Sequence, residues 1–190
     1  MKKEEKKNLD KEQIPAEVKQ RAKAIRLILM DVDGVMTGGE IVYDSSGGEI
    51  KHFDAHDGLG LKLAKYAGLK TGVVSARDSE PIRRRAAELQ MDFLYLGSFK
   101  KIDALQDILH THGIKAEHIC YIGDDYPDIP ILREAGLAVA VENATAPVKE
   151  QAHYITRRKG GKGAVREVVD LILETQQVLE SAVKRVWEEG

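Results

Sequence analysis

The chain has 190 residues and a mass of 21.1 kDa, the size of one domain with short extensions rather than of two full domains. Hydrophobic residues make up 43% and charged residues 32%, a balance that excludes wholesale disorder and predicts a packed core. Lys plus Arg (29) and Asp plus Glu (31) nearly cancel to a formal charge of −2, so no global field draws the chain to nucleic acid or an acidic membrane, and any anion site is local.

Residues 1–13, MKKEEKKNLDKEQ, alternate in charge and hold little to bury. They read as a charged tail, with residues 14–190 forming a single domain. The apolar run Ile25–Met30 reads as a buried strand, and four comparable runs follow at Lys70–Val74, Phe93–Leu96, His118–Ile122 and Leu137–Val141. Helical patterns lie between them at Gly58–Ala67, Ser79–Leu89, Lys101–His112 and Pro127–Ala135. Buried strands alternating with helices predict an α/β fold, a doubly wound Rossmann-like parallel sheet with helices on both faces. One stretch breaks the rhythm: EIVY and EIKHF, joined by DSSGG, predict a β-hairpin flap. Beyond Ala164 apolar residues keep helical spacing through Trp187, predicting one long closing helix whose far end packs on a neighbour.

Cys120 is the single cysteine, so no internal disulfide or thiolate cluster forms, and the expected compartment is the cytoplasm. No apolar run approaches the ~18 residues of a membrane span. The six histidines show no metal-ligand spacing, which disfavours zinc.

Ligands of open parallel sheets collect outside the carboxyl ends of the strands. There the sequence places Asp31 and Asp33 after the first strand, Ser75 and Arg77 after the second, Lys101 after the third, and Asp124 and Asp125 after the fourth. Oxygen ligands of this kind suit Mg²⁺, which takes one or two carboxylates, waters and a substrate phosphate. With that charge in place Asp31 can attack a phosphate as nucleophile, and Asp33 can protonate the leaving oxygen and later deprotonate water. Ser75 and Lys101 are suited to donate to the transferring phosphoryl oxygens, and Asp124 completes the metal site. Asp125 and Asp128, in GDDYPD, are placed to orient Lys101 or metal-bound water. GGKG at residues 160–163 lacks the pattern of a phosphate loop, yet RRKGGKG is a basic segment that either closes over an anion or is a solvated linker.

DVDGV, VVSAR, Lys101 in GSFKK, and GDDYPD together resemble the four motifs of the haloacid dehalogenase superfamily phosphatases. Within it the chain resembles, from roughly residue 15 to residue 173, the enzymes that dephosphorylate small sugar acids. The resemblance implies a Mg²⁺-dependent phosphatase with Asp31 as nucleophile and Asp33 as acid and base, the metal lying on Asp31, the Asp33 carbonyl and Asp124. It implies 3-deoxy-D-manno-octulosonate 8-phosphate as substrate and a homotetramer in which hairpins associate and a neighbouring subunit covers the active site. It further implies substrate contacts from Asp54, Ala55, His56, Asp57, Gly58, Lys62, Arg77 and Arg85.

Neither the stretch from Asp33 to Ser75 nor that from Ser75 to Lys101 is long enough for a separate cap domain. The family commonly has Asn, Val, Arg, Asp and Gly where this chain has Asp54, Ala55, His56, Asp57 and Gly58, so an imidazole replaces a guanidinium. Lys62 stands where arginine is common, and SAR replaces SGR. These departures keep a nonulosonate 9-phosphate open as substrate. A receiver-like phosphoacceptor and a non-catalytic interaction subunit are the other readings. Asp33 argues against the first and the intact motif set against the second.

Overall fold

The computed structural model describes residues 14–189, and the charged tail predicted for residues 1–13 lies outside them. In chain order the elements are α1 (Ala16–Ala24), β1 (Leu27–Met30), β2 (Val42–Tyr43), β3 (Glu49–Ile50), α2 (Ala55–Tyr66), β4 (Lys70–Val74), α3 (Glu80–Glu88) and β5 (Phe93–Tyr95). Then follow α4 (Lys101–His112), β6 (Ile119–Gly123), α5 (Ile129–Glu134), β7 (Leu137–Ala140), α6 (Ala146–Gln151), β8 (Tyr154–Ile155), α7 (Ala164–Thr175) and α8 (Leu179–Glu189). Short 3₁₀ turns at Ala116–His118 and Tyr126–Asp128 lead into β6 and α5.

The main sheet is parallel, with strand order β5-β4-β1-β6-β7-β8. All four β1 side chains, Leu27 to Met30, are fully buried, each contributing roughly 1.5–3 kcal/mol of apolar burial. A strand covered on both faces has no polar side to alternate with, and for that reason β1 reads as a continuous apolar run. Helices cover both faces: α2 packs on α7 and α8, and α7 on α1, while α4 packs on α5 and α5 on α6. The doubly wound α/β architecture is as expected. β2 and β3 pair antiparallel as the predicted hairpin, Val42 opposite Ile50 and Tyr43 opposite Glu49. Asp44 accepts from the backbone N–H groups of Ser46 and Gly48 and closes its turn.

The structure adds three elements to the expected set. α1 buries only Val18 and Ala22, α6 is a short helix with Val148 buried, and β8 is a two-residue strand with no buried residue. None carries enough apolar periodicity to be seen in the sequence. The predicted single closing helix is corrected to two. α7 ends where Gln177 takes φ +61°, with Val178 N–H donating to Leu173 O and Gln177 N–H to Glu174 O, a Schellman ending. The side chain of Gln176 donates to Ala22 O and Ile25 O, which ties the break to the end of α1. Apolar spacing continues through the break, so hydrophobicity alone does not reveal it.

Left-handed backbone at a residue with a Cβ stores strain that glycine does not. Gln177→Gly is therefore expected to raise the unfolding free energy in urea by about 0.5–1 kcal/mol, and Gln177→Val to lower it by at least that much. Equal stability of the two variants would show that this ending is not strained.

Candidate active site

Strand register brings the chemistry together. Met30 lies opposite Val73 of β4 and Ile122 of β6, so Asp31, Ser75 and Asp124, each just past its strand, emerge at one edge of the sheet. β1 sits between β4 and β6 where strand order reverses, the crevice in which doubly wound sheets bind ligands. Asp31 N–H donates to Ile122 O at 3.0 Å, and Val32 N–H donates to Asp31 Oδ1 at 2.7 Å.

Lys101, the first residue of α4, is 2% exposed. Its Nζ lies 2.7 Å from Asp31 Oδ2 and 2.7 Å from Asp128 Oδ1. Burial works against its charge, but Asp31 and Asp128 outweigh it and hold the lysine pKa above its usual value. Asp128 is fully buried and its carboxylate is saturated. Oδ1 accepts from Lys101 and from Tyr121 Oη at 2.7 Å, and Oδ2 accepts from the backbone N–H groups of Asp124 and Asp125. Asp128 thus fastens Lys101, β6 and the loop carrying Asp124 to one another.

Asp31, Asp124 and Asp128 each offer an oxygen within 4.8 Å of the others. Burial pushes Asp124 up to about 8, helped by the charges of Asp128 and Asp31, and it pushes Asp31 up to about 6 against the pull of Lys101. Asp124 Oδ1 is buried without a hydrogen-bond partner, and a Cβ at Gly34 would collide with this carboxylate. A desolvated, partnerless carboxylate oxygen beside a second carboxylate fits a hard divalent cation. Since both Asp128 oxygens are spent, Asp31 and Asp124 are the carboxylates with capacity for it.

Ser75 is 1% exposed. Its Oγ accepts from Arg77 N–H at 3.1 Å, so its own proton remains available for a ligand. Asp33 does not share the acidic cluster through its side chain: Oδ1 lies 2.5 Å from Lys51 Nζ, and Oδ2 lies 3.7 Å from Arg77 Nε.

Several residues expected to meet substrate have partners within the chain. Asp54 caps α2, its Oδ1 accepting from His56 N–H at 2.6 Å, and Ala55 and the His56 ring are exposed beside it. Asp57 is a buried tie, 2% exposed. Its carboxylate accepts from Arg166 N–H at 2.7 Å and Gly163 N–H at 3.3 Å, supplying the N-terminus of α7 with the cap that Gly163 lacks. Gly58 is buried where the Arg85 guanidinium passes, and a Cβ there would have to displace it. Arg85 itself pairs with Glu88 and lies over the Phe53 ring, and Lys62 is exposed on α2. Asp125 Oδ1 accepts from Tyr126 N–H and caps the 3₁₀ turn, and of the two acids it is Asp128 that contacts Lys101.

The basic glycine segment is no solvated linker. Gly160 and Gly161 are buried, Gly161 N–H donates to Val35 O at 2.8 Å, and Gly160 N–H donates to Asn143 Oδ1 at 2.8 Å. A Cβ at either would strike the backbone of residues 34–38, so the segment braces the loop that carries Asp31 and Asp33. Lys51, Tyr121 and Asn143 escaped the sequence reading. For Lys51 a signal existed: Glu49 and Lys51 flank Ile50 at the two-residue period of one strand face.

The chain resembles known proteins in both sequence and structure. Residues 93–168 match the haloacid dehalogenase-like hydrolase family. The 3-deoxy-D-manno-octulosonate 8-phosphate phosphatase of Yersinia pestis is 42% identical over 166 residues, covering 87% of this chain and 89% of that protein. The Haemophilus influenzae enzyme of the same name is 40% identical over 159 residues, covering 84% and 88%. The crystal structure of the Moraxella catarrhalis phosphatase, in complex with a magnesium ion, a phosphate ion and KDO, superposes with a TM-score of 0.86 at 40% identity. That match covers 90% of this chain and 98% of the other. With its acids, buried lysine and serine gathered at the switch point of the same fold, the chain belongs to the haloacid dehalogenase-like hydrolase family, among its phosphatases.

Proposed function

We propose that the protein is a Mg²⁺-dependent phosphomonoesterase that hydrolyses 3-deoxy-D-manno-octulosonate 8-phosphate to the free sugar acid and phosphate, through an aspartyl phosphate on Asp31. The observation that carries the reading is the 2.7 Å pair of Asp31 with buried Lys101 beside the partnerless Asp124 oxygen. About 40% identity to phosphatases of that substrate supports its identity.

In this scheme an Asp31 oxygen attacks phosphorus, the bond from phosphorus to the sugar oxygen breaks, and Asp33 gives that oxygen a proton. A water that loses its proton to Asp33 then attacks the acyl phosphate, and phosphate leaves with Asp31 restored. Lys101 and Ser75 donate to phosphoryl oxygens throughout. Asp31, Asp124 and the Asp33 carbonyl are the residues that would hold Mg²⁺, whose charge lets a carboxylate approach a phosphate. The reading places the enzyme in the cytoplasm, in lipopolysaccharide precursor synthesis.

A homotetramer belongs to the same reading. The hairpin region exposes Ile41, Val42, Tyr43 and Ile50, an apolar set suited to association, and among the described residues no cap domain covers the site of a single chain. His56, with its ring exposed, favours a second substrate reading, a nonulosonate 9-phosphate, because a guanidinium is missing where the relatives commonly have one.

The direct test is phosphate release, with and without Mg²⁺, from the eight-carbon acid phosphate, a nonulosonate 9-phosphate, simple sugar phosphates and p-nitrophenyl phosphate. Asp31→Asn should abolish turnover and Asp124→Asn should mainly raise the Mg²⁺ requirement. Near-normal rates in Asp31→Asn would sink the scheme. Because the cation must displace a proton from Asp124, held up to about 8, the Mg²⁺ concentration for half-maximal rate should fall as pH rises toward that value. Titration calorimetry in buffers of different ionisation enthalpy should register proton release, and its absence near neutral pH would contradict the assignment. Tyr43→Asp combined with Ile50→Asp should yield smaller particles in sedimentation velocity and lower kcat/KM at least ~10-fold. A fully active single-chain particle would argue against covering by a neighbour.

A further inference from the structure

The hairpin reaches the reacting groups by a route separate from its apolar surface. Lys51 follows β3 directly, yet its side chain is only 1% exposed. Its Nζ lies 2.5 Å from Asp33 Oδ1 and 2.9 Å from Glu49 Oε1. Arg77, from the loop after β4, meets the same two acids from the other side, Nε 3.7 Å from Asp33 Oδ2 and Nη1 3.8 Å from Glu49 Oε1. Tyr43 on β2 lies beside Arg77 and helps to hold its guanidinium charged. Four charges of alternating sign close a ring, and two of them, with Tyr43, are hairpin residues.

An ammonium taken out of water is tolerated only when it is paired, and here the two carboxylates do that. The contacts to Asp33 are unequal. Lys51 holds Oδ1 in a short charge-assisted bond, which fixes the plane of the carboxylate. Oδ2 is left with Arg77 beyond hydrogen-bond distance, and it is the oxygen with capacity to exchange a proton.

Building on the assignment of Asp33 as acid and base, we infer that Lys51, backed by Glu49, is a positioning residue that holds Asp33 with Oδ2 presented to the leaving group and then to water. Lys51 touches neither substrate nor metal in this role. The hairpin is thereby part of the proton-transfer apparatus, and the acid is oriented by an element outside the sheet.

Leaving-group dependence separates this role from a structural one. p-Nitrophenolate departs without a proton, whereas a sugar alkoxide needs one, so a misplaced acid harms the alkyl phosphate selectively. The comparison uses the full chain with Mg²⁺, reading kcat and KM on a sugar phosphate it hydrolyses and the first release of p-nitrophenol by stopped flow. Lys51→Met should lower kcat on the alkyl phosphate by about 100-fold, at least ~10-fold more than it lowers the p-nitrophenol burst, with KM little changed. Lys51→Arg should recover most of that difference. Equal losses on both substrates, or no loss, would overturn the inference. Asp33→Asn runs beside it: a leaving-group split there without one in Lys51→Met rejects Lys51 alone, and no split in Asp33→Asn rejects the reading of Asp33 and this inference with it. If Lys51→Met does not fold, Glu49→Gln, which keeps the ammonium and removes its backing charge, should show the same split at smaller size. Equal losses in that variant overturn the proposal as well.

Discussion

A lysine buried to 2% exposure between two aspartates is the constraint on which the rest of this site depends. Lys101 keeps its charge in a desolvated place only because Asp31 and Asp128 share it, and each acid tolerates burial partly because of the lysine. Asp128 in turn binds Tyr121 within β6 and the backbone of Asp124 and Asp125. One ammonium therefore connects α4, the end of β1, the interior of β6 and the loop that follows it. Asp124 is left with a buried oxygen that has no partner, a donor that fits a divalent cation.

A second set of ties holds the loop after β1. Gly160 and Gly161 lie against its backbone, Asn143 holds Gly160, and Asp57 caps α7 immediately downstream. Glycines here are a matter of clearance: two backbones approach more closely than a Cβ permits. The result is a loop after β1 braced from below by the 156–163 segment and from outside by the ring of Lys51, Glu49 and Arg77. Preorganisation of this kind suits a site over which the described residues place no separate closing domain.

Much of this was legible in one dimension. Strands β1, β6 and β7 are buried throughout and show as apolar runs, β4 ends in the buried pair Val73 and Val74, and the polar residue that follows such a run lies at the carboxyl edge. Asp31, Ser75 and Asp124 could be named in that way, and the hairpin was visible from its turn chemistry. β8 and α1 were not legible because two half-exposed residues, or two buried ones, leave no period to read. The division between α7 and α8 was hidden for a different reason: Gln177 carries no sign of left-handed backbone, and the amide of Gln176 that ties the break finds its partners at Ala22 and Ile25, far away in the chain.

The sequence by itself determined the layered α/β sheet, the hairpin and the identity of the acids, the serine and the lysine at the strand ends, because those follow from hydrophobic period and from order along the chain. The tertiary structure alone decided which of those polar groups spend their hydrogen-bonding capacity on one another. Asp128 is saturated while Asp124 is not, Asp57 is consumed by a helix end, and Asp33 faces a lysine from the hairpin. Such outcomes depend on angstrom-scale distances between residues remote in sequence and on how much water each site excludes, and neither quantity is written in the order of the residues.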